Sequence, residues 1–201
     1  MRKTLPMVCS AITLRRALPL AASLLFSVTL LAGPSAVPRK SPEFAISDAS
    51  GKTTLLSSLK GKVVVMEFLF MNSEHCVRVA KTLNNLQAEL GQRGFQSIGV
   101  VFGPNADEQH VVYMADYLKL AYPVGFTTSL KVDSYLGRTG NEILSIPQVV
   151  VIDRAGMIRA TSGGRRGDPK LEDQNYLRGL IDSLLKEDLP TTTAKRTPAP
   201  R

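Results

Sequence analysis

Runs and repeats of apolar residues divide this chain into elements before any chemistry is considered. The run Val63-Val64-Val65-Met66-Glu67-Phe68-Leu69-Phe70 is apolar except for one charge. Such a run marks a strand covered on both faces, as in the middle of a sheet. From Glu74 to Leu90 the period becomes helical, with Val77, Ala80, Leu83, Leu86 and Leu90 on one face. Ser73 is the predicted N-cap of this helix and Gly91 its stop. A second strand is predicted over Phe95 to Phe102. Strand, helix and strand make a βαβ unit, which implies parallel, right-handed pairing.

Around this unit the pattern predicts further elements. Upstream lie a short strand, Glu43 to Ser47, a turn over Asp48 to Lys52 and one helical turn over Leu55 to Leu59. Downstream come a helix from Asp107 to Leu120, a strand Val124 to Thr127 and a short helix Ser129 to Leu136. Ile146-Pro147 then opens the strand Gln148 to Ile152, which turns at Asp153-Arg154-Ala155-Gly156 into Met157 to Ala160. Gly163 to Gly167 reads as a loop and Leu171 to Leu185 as a closing helix. A parallel half joined to an antiparallel half, with helices on both faces, is a three-layer α/β sandwich with a mixed central sheet. The section between Phe102 and Pro147 is longer than one crossover needs, so an insertion is expected before the Pro147 strand.

Charge changes the picture less than its total suggests. The net charge is +8, but eight of the 25 basic residues lie at or before Arg39 or at or after Lys195. The body keeps 17 basic residues against all 17 acidic ones. A balanced body without a basic patch in its sequence argues against nucleic-acid binding. Residues 17–38 carry no charge but Arg15 and Arg16 precede them. That is the pattern of an export signal, or of an uncleaved anchor, since the stretch approaches the ~20 residues that span a bilayer. Either places the body outside the cytoplasm and allows membrane association through residues 17–38. The expected division is therefore 1–36 signal peptide or anchor, 37–42 linker, 43–187 folded domain and 188–201 a disordered Thr/Pro-rich tail. Cys9 precedes the apolar stretch, which leaves the body one thiol, Cys76.

The motifs Gly61-Lys62-Val63-Val64-Val65 before Ser73-Glu74-His75-Cys76, then Ile146-Pro147-Gln148-Val149-Val150-Val151-Ile152-Asp153 and Gly156, resemble the thioredoxin-fold superfamily. The likeness covers about residues 41–187 and runs to its TlpA/ResA-type thiol-disulfide proteins and the adjoining AhpC/TSA redoxins. It implies a thioredoxin-like sandwich, a cis peptide bond at Pro147 and thiol chemistry at the helix start. In the first group a Cys-x-x-Cys stands at Ser73 to Cys76, so Ser73 replaces the attacking sulfur and Cys76 matches the resolving one. In the peroxiredoxin branch a Thr-x-x-Cys stands there, and its cysteine attacks peroxide. Leu69 stands where that branch has a proline, and Pro147 near where it has an arginine.

These residues define a candidate site. Cys76 in the first turn would meet unpaired N–H groups and the positive end of the helix, which favour a thiolate. His75 and Arg78 are candidate cations beside it, Arg78 as a thiolate stabiliser. Glu67, six residues before Ser73, matches a buried carboxylate that the resemblance assigns to proton transfer with the resolving thiol. Asn72, Ile146 and Pro147 are candidate substrate-binding positions. No metal or cofactor is expected: His75 and Cys76 are adjacent and do not share a helix face. The expected function is an exported monothiol redox protein that exchanges with a thiol or disulfide partner, or reduces peroxide, and is restored by an external reductant. The alternative is a redox-inactive module that holds an extended peptide in the Pro147 groove.

Overall fold

The computed structural model describes residues 36–103, 106–138, 144–163 and 167–187. The expected export segment up to residue 35, Cys9, the tail 188–201 and Gly164 to Arg166 of the predicted loop lie outside them.

The strands are β1 (Arg39–Lys40), β2 (Ala45–Ser47), β3 (Thr53–Leu55), β4 (Val63–Leu69), β5 (Phe95–Val101), β6 (Val124–Phe126), β7 (Gln148–Ile152) and β8 (Met157–Thr161). The helices are α1 (Glu74–Leu90), α2 (Glu108–Leu118), α3 (Ser129–Leu136) and α4 (Gln174–Lys186). One mixed sheet runs β1-β8-β7-β4-β5-β6-β2-β3. β4 pairs in parallel with β5, from Val63 opposite Phe95 to Leu69 opposite Val101. On its other edge it pairs antiparallel with β7. The predicted βαβ unit is therefore the centre of the molecule, and the fold is the expected mixed α/β sandwich.

Alternation along β4 separates two cores. Val63, Val65 and Leu69 pack beneath α1, α2 and α4 with Leu83, Leu86, Met114, Leu177 and Ile181. Val64, Met66 and Phe68 face the other way, toward Phe44, Leu56, Val132 and Tyr135. All seven β4 residues are buried. A seven-residue strand with no outward face explains its near-unbroken apolar run.

Three local readings change. Residues 37–42, expected as a linker, supply β1, in which Arg39 and Lys40 pair with Ile158 and Met157. Thr53 to Leu55 form an unexpected strand that closes a hairpin on β2 around the predicted Asp48 to Lys52 turn, and the helical turn expected from Leu55 starts at Leu56. The closing helix begins at Gln174, because Pro169–Glu172 forms a separate 3₁₀ turn capped by Asp168. The section between β5 and β7 contributes α2, β6 and α3, and β6 extends the sheet in parallel beside β5.

β6 carries a close backbone approach that fixes a glycine. A Cβ on Gly125 would lie 2.5 Å from the Ser47 carbonyl oxygen and also strike Ile46 Cγ2. Gly125→Ala must therefore push β2 off the sheet, and a loss of about 1–3 kcal/mol is expected, as for other overpacked sites. Urea denaturation measures it; an unchanged midpoint would mean that β2 is not held there.

Candidate active site

The site forms where β4 ends and α1 begins. Ser73 caps α1 in extended backbone geometry, and its Oγ accepts the Cys76 N–H at 3.3 Å. This is the predicted cap, using one of the donors that a helix start leaves unpaired. Register places Pro147 at the same end of the sheet. Phe68 lies opposite Gln148, so Pro147 stands level with the last residue of β4. The Ile146–Pro147 bond is cis. Ser162 donates to the Pro147 carbonyl at 3.4 Å and accepts the Val149 N–H at 2.8 Å, which fixes this entry to β7.

Cys76 is not where a helix-tip thiolate was expected. Its relative exposure is 0%. The buried stripe of α1 is Cys76, Val79, Ala80, Leu83, Leu86 and Leu90, while Val77 is only half-buried. The predicted face named Val77; the actual face is turned toward 76 and 79, which carries the sulfur into the core. Burial raises the thiol pKa. The Ser73 hydroxyl and the Phe70 backbone N–H oppose that rise, and the charges of Glu67 and Glu172 add to it.

The expected cations do not reach the sulfur. Arg78 is exposed on the outer side of α1 and donates to His75 Nδ1 at 2.9 Å. The His75 side chain is 63% exposed and lies 3.8 Å from Glu172 Oε2. The electrostatic surroundings of Cys76 are thus acidic, the reverse of the sequence expectation for His75 and Arg78. Asn72 is exposed, Ile146 is half-buried and Pro147 is buried.

Glu67 is a buried, unpaired acid on the central strand. It is 0% exposed, and neither carboxyl oxygen has a hydrogen-bond partner. Alternation along β4 sends its side chain to the α1 face. Its lateral neighbours in the sheet are Gly99 and Val149. The Tyr122 ring fills the space beside Gly99, 3.5 Å from where a Cβ would stand, and its hydroxyl donates to the Ala80 carbonyl at 3.2 Å. The carboxyl therefore lies in an apolar enclosure. Desolvation drives its pKa well above the ordinary 4.5, and the Glu172 charge adds to this.

Two parts of the site were missed from sequence. Glu172 acts on both Glu67 and Cys76, yet comes from the 3₁₀ turn; Asp168-Pro169, a cap followed by proline, was the available signal. Beside Asn72 lies a cavity of about 330 Å³, lined among others by Phe70, Met71, Phe102, Ala106 and His110. The Phe70 and Phe102 rings lie 4.6 Å apart. His110 faces this cavity, held by Asp107 at 2.5 Å. No cluster of three metal-binding side chains occurs among the described residues.

Comparison with known proteins adds a family and a fold. Residues 37–161 match the AhpC/TSA family. No curated protein matches the sequence. Solved structures similar to the chain include a thioredoxin-family thiol:disulfide interchange protein from Chlorobium tepidum TLS. Identity is 23% and the TM-score 0.61, over 75% of this chain and 98% of that one. A secreted Mycobacterium tuberculosis disulfide oxidoreductase homologous to E. coli DsbE is 17% identical, with TM-score 0.55, over 70% and 96%. A hypothetical protein from Sinorhizobium meliloti 1021 is 17% identical, with TM-score 0.62, over 78% and 88%. These likenesses identify the fold as thioredoxin-like.

The raised Glu67 pKa sets a pH dependence. Folded protein holds the Glu67 proton where the unfolded chain has lost it, so this contribution is full below about 4.5 and disappears as pH rises through the folded value. Each unit of elevation is worth about 1.4 kcal/mol. Relative to Glu67→Gln, the native protein is expected to lose stability as pH rises above about 4.5. Urea melts at several pH values measure this; parallel curves for the two proteins would remove the buried acid.

Proposed function

Because this chain belongs to the AhpC/TSA family, we propose that it is a thioredoxin-like thiol oxidoreductase that works through one sulfur, that of Cys76. The observation that carries this reading is the orphan carboxyl of Glu67 beneath that sulfur. An unpaired buried carboxyl costs several kcal/mol of desolvation and adds nothing to packing. A carboxyl with a raised pKa is a stronger proton acceptor, once ionised, than an ordinary carboxylate, and the thiol that must lose a proton is its electrostatic neighbour.

The steps balance with one sulfur. Glu67, as carboxylate, takes the Cys76 proton. The thiolate attacks a partner disulfide, forming a bond from Cys76 to one partner sulfur and releasing the other as thiolate. Glu67 then returns the proton to that leaving group. A second, external thiol attacks the mixed disulfide and frees Cys76, so the chain needs an external reductant. With a peroxide the same thiolate takes one oxygen, becoming a sulfenic acid, and the departing alkoxide or hydroxide receives the proton. Ser73 orients the sulfur, and Asn72, Ile146 and Pro147 form the wall against which an extended substrate lies. The sealed sulfur requires the segment from Phe70 to Ser73 to move aside first. Export is part of the proposal: residues 17–38 and the preceding arginines support it, and the Mycobacterium tuberculosis protein of the same fold is secreted. No helix among the described residues is long and apolar enough to cross a membrane.

The zero exposure of Cys76 favours a second reading, a binding module in which the cavity beside Asn72 holds a peptide and the sulfur is core packing. One experiment separates the two. Native protein is treated with an aromatic disulfide across neutral to alkaline pH, and adducts are followed by mass spectrometry. An adduct on Cys76, resolved from Cys9 by peptide mapping, is expected, with a midpoint above that of a free thiol. Glu67→Gln decides the role of the carboxyl. If Glu67 only repels the thiolate, its removal speeds the reaction; as a proton acceptor, its removal slows it about tenfold or more. Folded protein that stays unmodified throughout would leave only the binding module.

A further inference from the structure

A second cavity, of about 250 Å³, lies at the opposite end of β4 from Cys76. Its floor is Val64 and Ile152, which pair across β4 and β7. Leu56 and Leu59 of a 3₁₀ turn form one wall, and Ala155 and Gly156 of the β7–β8 turn another. Backbone bonds brace the frame: Ser41 N–H to the Gly156 carbonyl at 3.0 Å, Leu56 N–H to Phe44 at 2.9 Å and Gly61 N–H to Arg154 at 3.1 Å. This end of the molecule has no part in the thiol chemistry proposed above.

The charges around the cavity are unequal in how they are used. Both carboxylates of the lining are already engaged. Glu43 Oε1 accepts the Phe44 and Ser57 N–H groups, each at 3.0 Å. Asp153 Oδ1 accepts the Ala155 and Met157 N–H groups at 2.9 Å, while Oδ2 is paired with Arg159 at 3.1 Å. The lysines are not so engaged. Lys62 reaches only the neutral Gln96 amide, at 3.4 Å. Lys40 and Lys60 have no hydrogen-bonding or ionic side-chain partner among the described residues. Three exposed lysines thus line a cavity with an apolar floor, a setting in which lysine stems can lie on apolar surface while their heads stay in water.

We propose that this cavity binds a small amphipathic anion, a molecule with a carboxylate or phosphate head and a short unbranched apolar body. The apolar body would cover Val64, Ile152, Leu56 and Leu59. The anionic head would sit among Lys40, Lys60 and Lys62, where it supplies the counter-charge the rim lacks. The volume is just below the usual range of about 300–1,000 Å³ for ligand sites, so the fitting molecule is small.

Octanoate is the probe, titrated into the full chain below its micelle concentration and followed by amide chemical shifts. Saturable shifts centred on Ser57, Lys60 and Ala155 are expected, with Cys76 and Glu67 unmoved. The double variant Lys60→Met, Lys62→Met keeps the apolar stems and removes two charges; its affinity should fall about tenfold or more. Lys81→Glu, on the outer side of α1, should bind as the parent does. Octyltrimethylammonium should not bind. No saturable shift with octanoate, equal binding of the cationic analogue, or undiminished binding by the Met variant would each overturn the proposal. Sedimentation with phosphatidylglycerol vesicles but no octanoate shift would also overturn it, assigning the lysines to a lipid surface.

Discussion

Everything at this site follows from the enclosure of β4. The strand is hydrogen-bonded along both edges and covered on both faces, so a side chain on it has no route to water. Position 67 carries a carboxyl under that constraint. Its flanks, Gly99 and Val149, offer no donor, and Tyr122, the nearest phenol, is turned to the Ala80 carbonyl. Desolvation then raises the pKa of the acid, and it is also the largest influence on the sulfur, to which the Glu67 charge adds a smaller one.

The same enclosure separates two properties that the helix start was expected to combine. A cysteine three residues after the cap gains favourable backbone donors, but here it also heads the apolar stripe of α1. Burial outweighs the donors, because the Ser73 and Phe70 contributions act against a larger desolvation. Glu67 and Glu172 add to the rise, while Arg78 and His75 of the first two turns are exposed, Arg78 donating to the His75 ring, which lies beside Glu172. The resting sulfur is therefore a buried core group with a raised pKa.

The fold was largely legible because its signals are local and strong. The unbroken β4 run, the α1 period with Ser73 and Gly91 at its ends, and the Pro147 strand all appear in the structure within a residue or so. The edge strands were not, since two or three residues such as Arg39–Lys40 carry no period and exist only by pairing with distant partners. In the site, Glu67 and the cis bond at Pro147 were legible, the first as the one charge in an apolar run, the second from the motif. The sulfur's burial was not, because it depends on which of two adjacent residues, 76 or 77, faces the sheet. That is a rotation of one helical step, fixed by packing of Val79 and Leu83 and not by the local period. Glu172 was missed because it meets His75 from nearly the other end of the chain.

The cap of α1 has a consequence for how such sites change over time. One oxygen at position 73 closes the first helical turn by accepting the Cys76 N–H. Sulfur is a poor hydrogen-bond acceptor. A thiol at that position would set two sulfurs side by side at the helix start, yet it would loosen the anchorage of the helix that carries them.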